Sequence, residues 1–211
     1  MRPPAVLPCV DVARCRTAGR DPLQLCAELL LAGASVWWRD TVEAGRDERL
    51  AAALRSPAAD RIHVGGDPTA GLHAGARRLH LPARVLGSMP PSTRDALRGL
   101  DGVGASVHNP DELALALACG VAYVTASPVF PTASKPGHIA LLGLDGLRAL
   151  CRVSPVPVLA LGGVTAAHVD GVCASGAQGI AAIGPSLGAD AVPVWRALRA
   201  AVAGPAPLPS A

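Results

Sequence analysis

The sequence predicts a single-domain (β/α)8 TIM barrel, on three observations. Eight short apolar runs recur along the 211 residues, and a stretch of helical periodicity or a turn-rich segment follows each. Alternation of this kind implies parallel strands joined by right-handed crossovers. The runs end in small or polar residues, where a barrel places its working loops. A doubly wound sheet is the alternative. It loses support because no Gly-x-Gly-x-x-Gly follows the first run.

The elements follow in order. Residues 6–12 read as a buried strand. Asp21 with Pro22 starts a helix over 21–32, and Gly33 stops it. Residues 34–41 form the second strand, ending Trp37-Trp-Arg-Asp40, and 43–54 are helical. A short strand at 61–64 runs into Gly65-Gly-Asp-Pro68, a helix follows over 69–76, and 78–81 is the fourth strand. Pro90-Pro-Ser92 marks a loop and a helix start within the irregular stretch 84–102. Strand five is 104–108, and Asn109-Pro-Asp111 opens the helix at 112–119. Strand six is 122–126, and a helix spans 144–151. Strand seven is 156–161, with a helix at 165–175. Strand eight is 178–183, and 191–203 is the last helix. The barrel is assigned to residues 1–204. Residues 205–211 read as a flexible Pro-rich tail.

Composition narrows the function. Half of the residues are apolar and only 2% are aromatic, so stacking platforms for single-stranded nucleic acid are nearly absent. The net charge of +3 comes from scattered Arg rather than a stripe, which argues against nucleic acid and anionic membranes. Six Cys occur without a Cys-x-x-Cys pair or metal-ligand spacing, and most sit in apolar helical patterns as small hydrophobes. Without a signal peptide or a long apolar span, a reduced, cytoplasmic protein is expected.

The chemistry-bearing residues gather at strand ends. Strand seven ends in Gly162-Gly163 and strand eight in Ile183-Gly184. Paired loops after strands seven and eight commonly cradle phosphate, because Gly lets backbone N–H groups approach the oxygens. Tight turns alone are the other reading. After strand six come Thr132, Ser134 and Lys135. This is the only Lys; the other eighteen basic residues are Arg. Two hydroxyls and an ammonium suit an anion. A Schiff-base role for Lys135 is disfavoured in so polar a loop. Ser106 and His108 share a face of strand five, and His80 ends strand four, so both His are acid–base candidates. Trp37 and Arg39 share a face of strand two. An inward Arg39 needs an anionic partner such as a ligand; an exposed Arg39 paired with Asp40 is the alternative.

These motifs resemble the thiamine phosphate synthase / TenI superfamily. The resemblance rests on Ser106-Val-His108, Ser127-Pro-Val-Phe-Pro-Thr-Ala-Ser-Lys135, Pro157-Val-Leu-Ala-Leu-Gly-Gly163 and Ser175-Gly-Ala-Gln-Gly-Ile-Ala-Ala-Ile183. It is strong from about residue 61 to 187 and weaker before. It implies a (β/α)8 barrel acting on a small phosphorylated heterocycle. Synthase members join a pyrimidine pyrophosphate to a thiazole phosphate with Mg²⁺, whereas TenI members aromatise a thiazole carboxylate phosphate without metal. A homo-oligomer is compatible with the resemblance.

The chain departs from both patterns. Synthases carry Gln-x-Arg-x-Lys on strand two, where this chain has Trp37, Arg39 and Thr41. They end strand three in Asn-Asp, where this chain has Gly65 and Gly66, and they place another Asp after strand four, within what is here Pro82-Ala-Arg-Val-Leu-Gly87. Mg²⁺ needs oxygen ligands, usually including carboxylates, so Asp67 would have to rebuild its site. The TenI acid–base His falls at Pro128 here, which leaves His80 or His108 to move protons. The favoured expectation is a metal-independent, TenI-type thiazole tautomerase requiring no cofactor. The alternatives are a synthase with a rebuilt Mg²⁺ site and a non-catalytic or specialised ligand-binding member.

Overall fold

A computed structural model describes residues 3–132, 140–184 and 190–203. Ser134, Lys135 and the tail after 203 lie outside the described residues.

Eight parallel strands close on themselves in sequence order, each pairing with the next and β8 pairing with β1. They are β1 Val6–Asp11, β2 Val36–Arg39, β3 Ile62–Gly65, β4 Arg78–Leu81, β5 Gly102–Val107, β6 Tyr123–Ala126, β7 Val158–Leu161 and β8 Gly179–Ala182. The α-helices are α1 Val12–Thr17, α2 Pro22–Leu31, α3 Arg46–Leu54, α4 Pro68–His73, α5 Ala83–Leu86, α6 Pro91–Ala96, α7 Pro110–Ala118, α8 Gly143–Val153, α9 Val169–Ala174 and α10 Ala191–Ala203. The expected barrel is therefore observed, with boundaries moved by a few residues.

Most of these shifts have local causes. β1 stops at Asp11, because the Asp11 carboxylate accepts the Arg14 N–H at 3.1 Å and caps α1. That short helix was not expected; it buries Val12 and Cys15. α3 starts at Arg46, after Gly45 in the left-handed region. The helix expected over 165–175 divides into a 3-10 turn, Ala166–His168, and α9.

Alternation along the strands divides the core into two layers. Outward residues such as Val36, Trp38, Ile62, Val64 and Leu79 pack with the helices. Inward residues Leu7, Cys9, Trp37, Tyr123, Leu159, Leu161 and Ala181 fill the barrel. The register puts Cys9 beside Trp37, Trp37 beside His63, and Gly104 beside Tyr123. Two strand glycines make room for the aromatics. A Cβ on Gly65 would lie 2.2 Å from Trp37 Nε1, and one on Gly104 would lie 2.2 Å from Tyr123 Cζ. All six Cys are free, four of them buried, and burial pushes the Cys9, Cys15 and Cys26 thiols up. No described helix is long and apolar enough to cross a membrane.

Candidate active site

A cavity of about 660 Å³ opens at the carboxyl ends of the strands. Its walls bring together most of the residues singled out in the sequence: Trp37, Arg39, Ser106, His108 and Thr132, with Gly162, Gly163, Ile183 and Gly184. Thr165, at the helix start expected after strand seven, lines it as well, as do Arg14 and Arg84, which the sequence reading passed over. The size suits a small-molecule ligand.

His108 stands one residue past β5 and is held from behind. Its Nδ1 lies 2.7 Å from Glu112 Oε2, and the same oxygen accepts the His108 backbone N–H at 2.7 Å. A carboxylate oxygen only accepts, so Nδ1 carries a proton in this contact. Glu112 sits in the first turn of α7, its own N–H donating to the Asn109 cap at 2.9 Å. The four-residue spacing from His108 to Glu112 was visible in the sequence but was read only as a helix start.

His80 lies elsewhere. It is fully buried in the barrel and does not line the cavity. Nδ1 is 3.1 Å from Tyr123 Oη; Nε2 is 3.0 Å from Ser106 Oγ and 3.4 Å from Thr125 Oγ1. Tyr123 Oη also reaches His63 Nδ1 at 3.0 Å. Burial lowers the pKa of both His80 and His63 to about 3, so both are neutral at pH 7. Trp37 packs on His80 with ring centroids 4.1 Å apart. His80 thus fixes Ser106 and Trp37 from below, and Ser106 is the member of this network that faces the cavity.

Arg39 does point inward. Its partner is Asp11, a buried carboxylate on the neighbouring strand, through an ion pair with Nη1. Asp40 is taken by Arg49, at 2.8 and 3.2 Å. Asp11 escaped the sequence reading because its pairing spans 28 residues.

The glycines after β7 have a packing reason. Gly163 has φ +65°, and a Cβ there would lie 2.3 Å from the Pro131 carbonyl. The loops after β6 and β7 are laced through Val129 N–H to Leu161 O at 2.9 Å and Phe130 N–H to Gly162 O at 3.0 Å. Gly163→Ala is therefore expected to cost about 3 kcal/mol through left-handed strain and a backbone collision. Thermal unfolding checks this, with Tm expected to fall by roughly 6–12 °C. Gly184 differs, since a Cβ there meets nothing within 4 Å.

The resemblance implies Mg²⁺ for synthase members, and the donor set can be tested against it. All sixteen acidic residues lie among the described residues, and none lines the cavity. Asp67 caps α4 by accepting the Thr69 N–H at 2.9 Å. Asp11 is 1% exposed and engaged by Arg39. Three guanidiniums and an imidazole do not fit a carboxylate-held Mg²⁺.

Comparison with known proteins gives consistent results. A family profile described as thiamine monophosphate synthase matches residues 19–185. A protein named thiamine-phosphate synthase from Chloroflexus aurantiacus is 34% identical over 145 residues, covering 68% of this chain. The chain spans only 58% of that relative's length. A second so named, from Methanoculleus marisnigri, is 33% identical over 204 residues, covering 92% of this chain and 87% of its own. A thiamine phosphate pyrophosphorylase structure from Pyrococcus furiosus superposes with a TM-score of 0.75 at 24% identity, covering 94% of this chain and 96% of its own, a likeness of fold.

Proposed function

The chain belongs to the thiamine monophosphate synthase family, and from that premise we propose that it is a metal-independent, TenI-type enzyme that aromatises a small phosphorylated thiazole, with His108 as acid–base. The observation that carries this reading is the His108–Glu112 pair at the wall of a cavity with no carboxylate lining. Aromatising a non-aromatic tautomer moves one proton from a ring carbon to another atom of the conjugated system, with no net redox change. Nε2 of His108 takes that proton and returns it. Glu112 keeps the tautomer fixed and stabilises the transient imidazolium. Trp37 offers a flat wall to the heterocycle. Thr132 with the loops at Gly163 and Gly184 receives the phosphate, joined in this reading by Ser134 and Lys135.

The test follows loss of the non-aromatic thiazole tautomer by its absorbance. Wild-type protein is expected to accelerate it, and His108→Ala to lower kcat/KM by roughly 10²–10⁴-fold. Glu112→Gln is expected to lower kcat more than it raises KM. A rate unchanged by added protein sinks the proposal.

One observation favours a second reading. Arginines at the ends of β1, β2 and β4 suit a diphosphate, and the named relatives are thiamine-phosphate synthases. Product formed from a pyrimidine pyrophosphate and a thiazole phosphate, above a control without protein, would establish it.

A further inference from the structure

One hydrogen-bond chain climbs through the barrel interior and ends at the cavity. It starts at His63 on β3, whose Nδ1 lies 3.0 Å from Tyr123 Oη, and passes from Tyr123 on β6 to His80 Nδ1 on β4 at 3.1 Å. His80 Nε2 then lies 3.0 Å from Ser106 Oγ on β5. His63, Tyr123 and His80 are at most 1% exposed, and none of them lines the cavity. Ser106 does.

A phenol carries one proton, and so does each neutral imidazole. Tyr123 donates to only one of its two His, so satisfying both requires it to accept from the other. The chain therefore has two consistent arrangements. In one, every proton points toward Ser106: His63 Nδ1–H donates to Tyr123 Oη, Tyr123 O–H donates to His80 Nδ1, and His80 Nε2–H donates to Ser106 Oγ. In the other, every proton points away, and the Ser106 O–H is drawn down onto His80 Nε2. Charge favours the first. Arg78 stands beside His63 in the strand register, and its guanidinium acts on His63 and Tyr123 at the foot of the chain. A cation there favours protons directed away from it. Thr125 works the same way, its O–H donating to Ser106 Oγ at 3.3 Å. With both lone pairs of Oγ taken, Ser106 keeps only its O–H to offer, and that hydroxyl has no other partner among the described residues.

We infer that this buried chain fixes the polarity of Ser106, which meets the ligand as a hydrogen-bond donor, and that Tyr123 and His80 are positioning residues acting through it. The ligand atom seated at Ser106 is then an acceptor, such as an unprotonated ring nitrogen or a carbonyl oxygen. A ligand presenting an N–H there sets two donors face to face and is rejected. The inference rests on the cavity being the substrate site, as the proposed function has it.

Two measurements keep the chain and the reaction apart. Long-range proton–nitrogen correlation spectra of the isotope-labelled full chain at pH 7 read which nitrogen of each neutral imidazole carries the proton. His63 is expected as the Nδ1–H form and His80 as the Nε2–H form. His63→Leu removes one set of signals and so assigns the other, and His80 is expected to stay Nε2–H, because Tyr123 O–H still reaches its Nδ1. His80 found as the Nδ1–H form, or as a mixture, would overturn the inference whether or not the protein turns over. In the thiazole tautomer assay, Tyr123→Phe is expected to lower kcat/KM about tenfold in the wild-type background and less than twofold in a Ser106→Ala background, because it acts through Ser106. Equal losses in both backgrounds would leave Tyr123 a packing residue and overturn its positioning role. Absence of turnover by the wild-type chain counts against the proposed function alone, and the spectra still decide the polarity.

Discussion

Lowering the pH from 7 to 4.5 is expected to destabilise the fold by about 5 kcal/mol through two buried imidazoles alone. His63 and His80 have pKa values lowered to about 3 from the ordinary 6.5, chiefly by burial, with Arg78 adding to the effect on His63 and His63 adding to that on His80. The unfolded chain therefore binds protons from pH 6.5 downward, while the folded chain refuses them until about pH 3. Because the unfolded state carries more protons in that window, stability falls as pH falls. Each group contributes about 1.4 kcal/mol per pH unit between roughly pH 6 and 4. In a chain of this length the total corresponds to a Tm drop of roughly 10–20 °C. Denaturation in urea at stepped pH checks it, and His63→Leu is expected to halve the slope. A midpoint flat between pH 6.5 and 4.5 would mean that the imidazoles are not held neutral.

Gly104→Ala is expected to cost about 3 kcal/mol or more by overpacking the barrel interior. The added Cβ would lie 2.2 Å from Tyr123 Cζ and 2.5 Å from its Oη. Tyr123 has little freedom to yield, because its ring is fully buried and its hydroxyl is fixed between His63 and His80. Any movement of the ring would loosen His80 and, through it, Ser106. Thermal unfolding of Gly104→Ala, Tyr123→Leu and the double variant tests the cause. The two substitutions share one contact, so their costs should be strongly non-additive, the second change recovering part of the first. A single Gly104→Ala variant within 2 °C of wild type would show that the interior is looser than its geometry.

The barrel was legible because strand runs and turn residues are local signals. β5 shows the limit. Gly102 reads as the end of the irregular stretch and strand five as beginning at Gly104, and only the ring of Tyr123, nineteen residues on, gives Gly104 its reason within the strand. The site was partly legible for the same cause. Glycine loops and a His at a strand end announce themselves, and Glu112 stood four residues from His108. Asp11 and Arg14 did not, since the pairing of Asp11 with Arg39 depends on β1 lying against β2, and Arg14 reaches the cavity from the short helix after β1. His80 shows the converse: a strand-end position promised chemistry, but its side chain turned into the barrel and found Tyr123 and Ser106.

The lacing between the loops after β6 and β7 has a kinematic consequence. Residues 128–131 and 161–163 share main-chain hydrogen bonds, and no side chain fits between them. The two segments therefore translate and rotate as one plate, and one loop cannot open while the other stays. Inserting a single residue in either segment would slide the whole plate relative to β8. Loop-length changes there should be far less tolerated than in the outer turns between helices and strands.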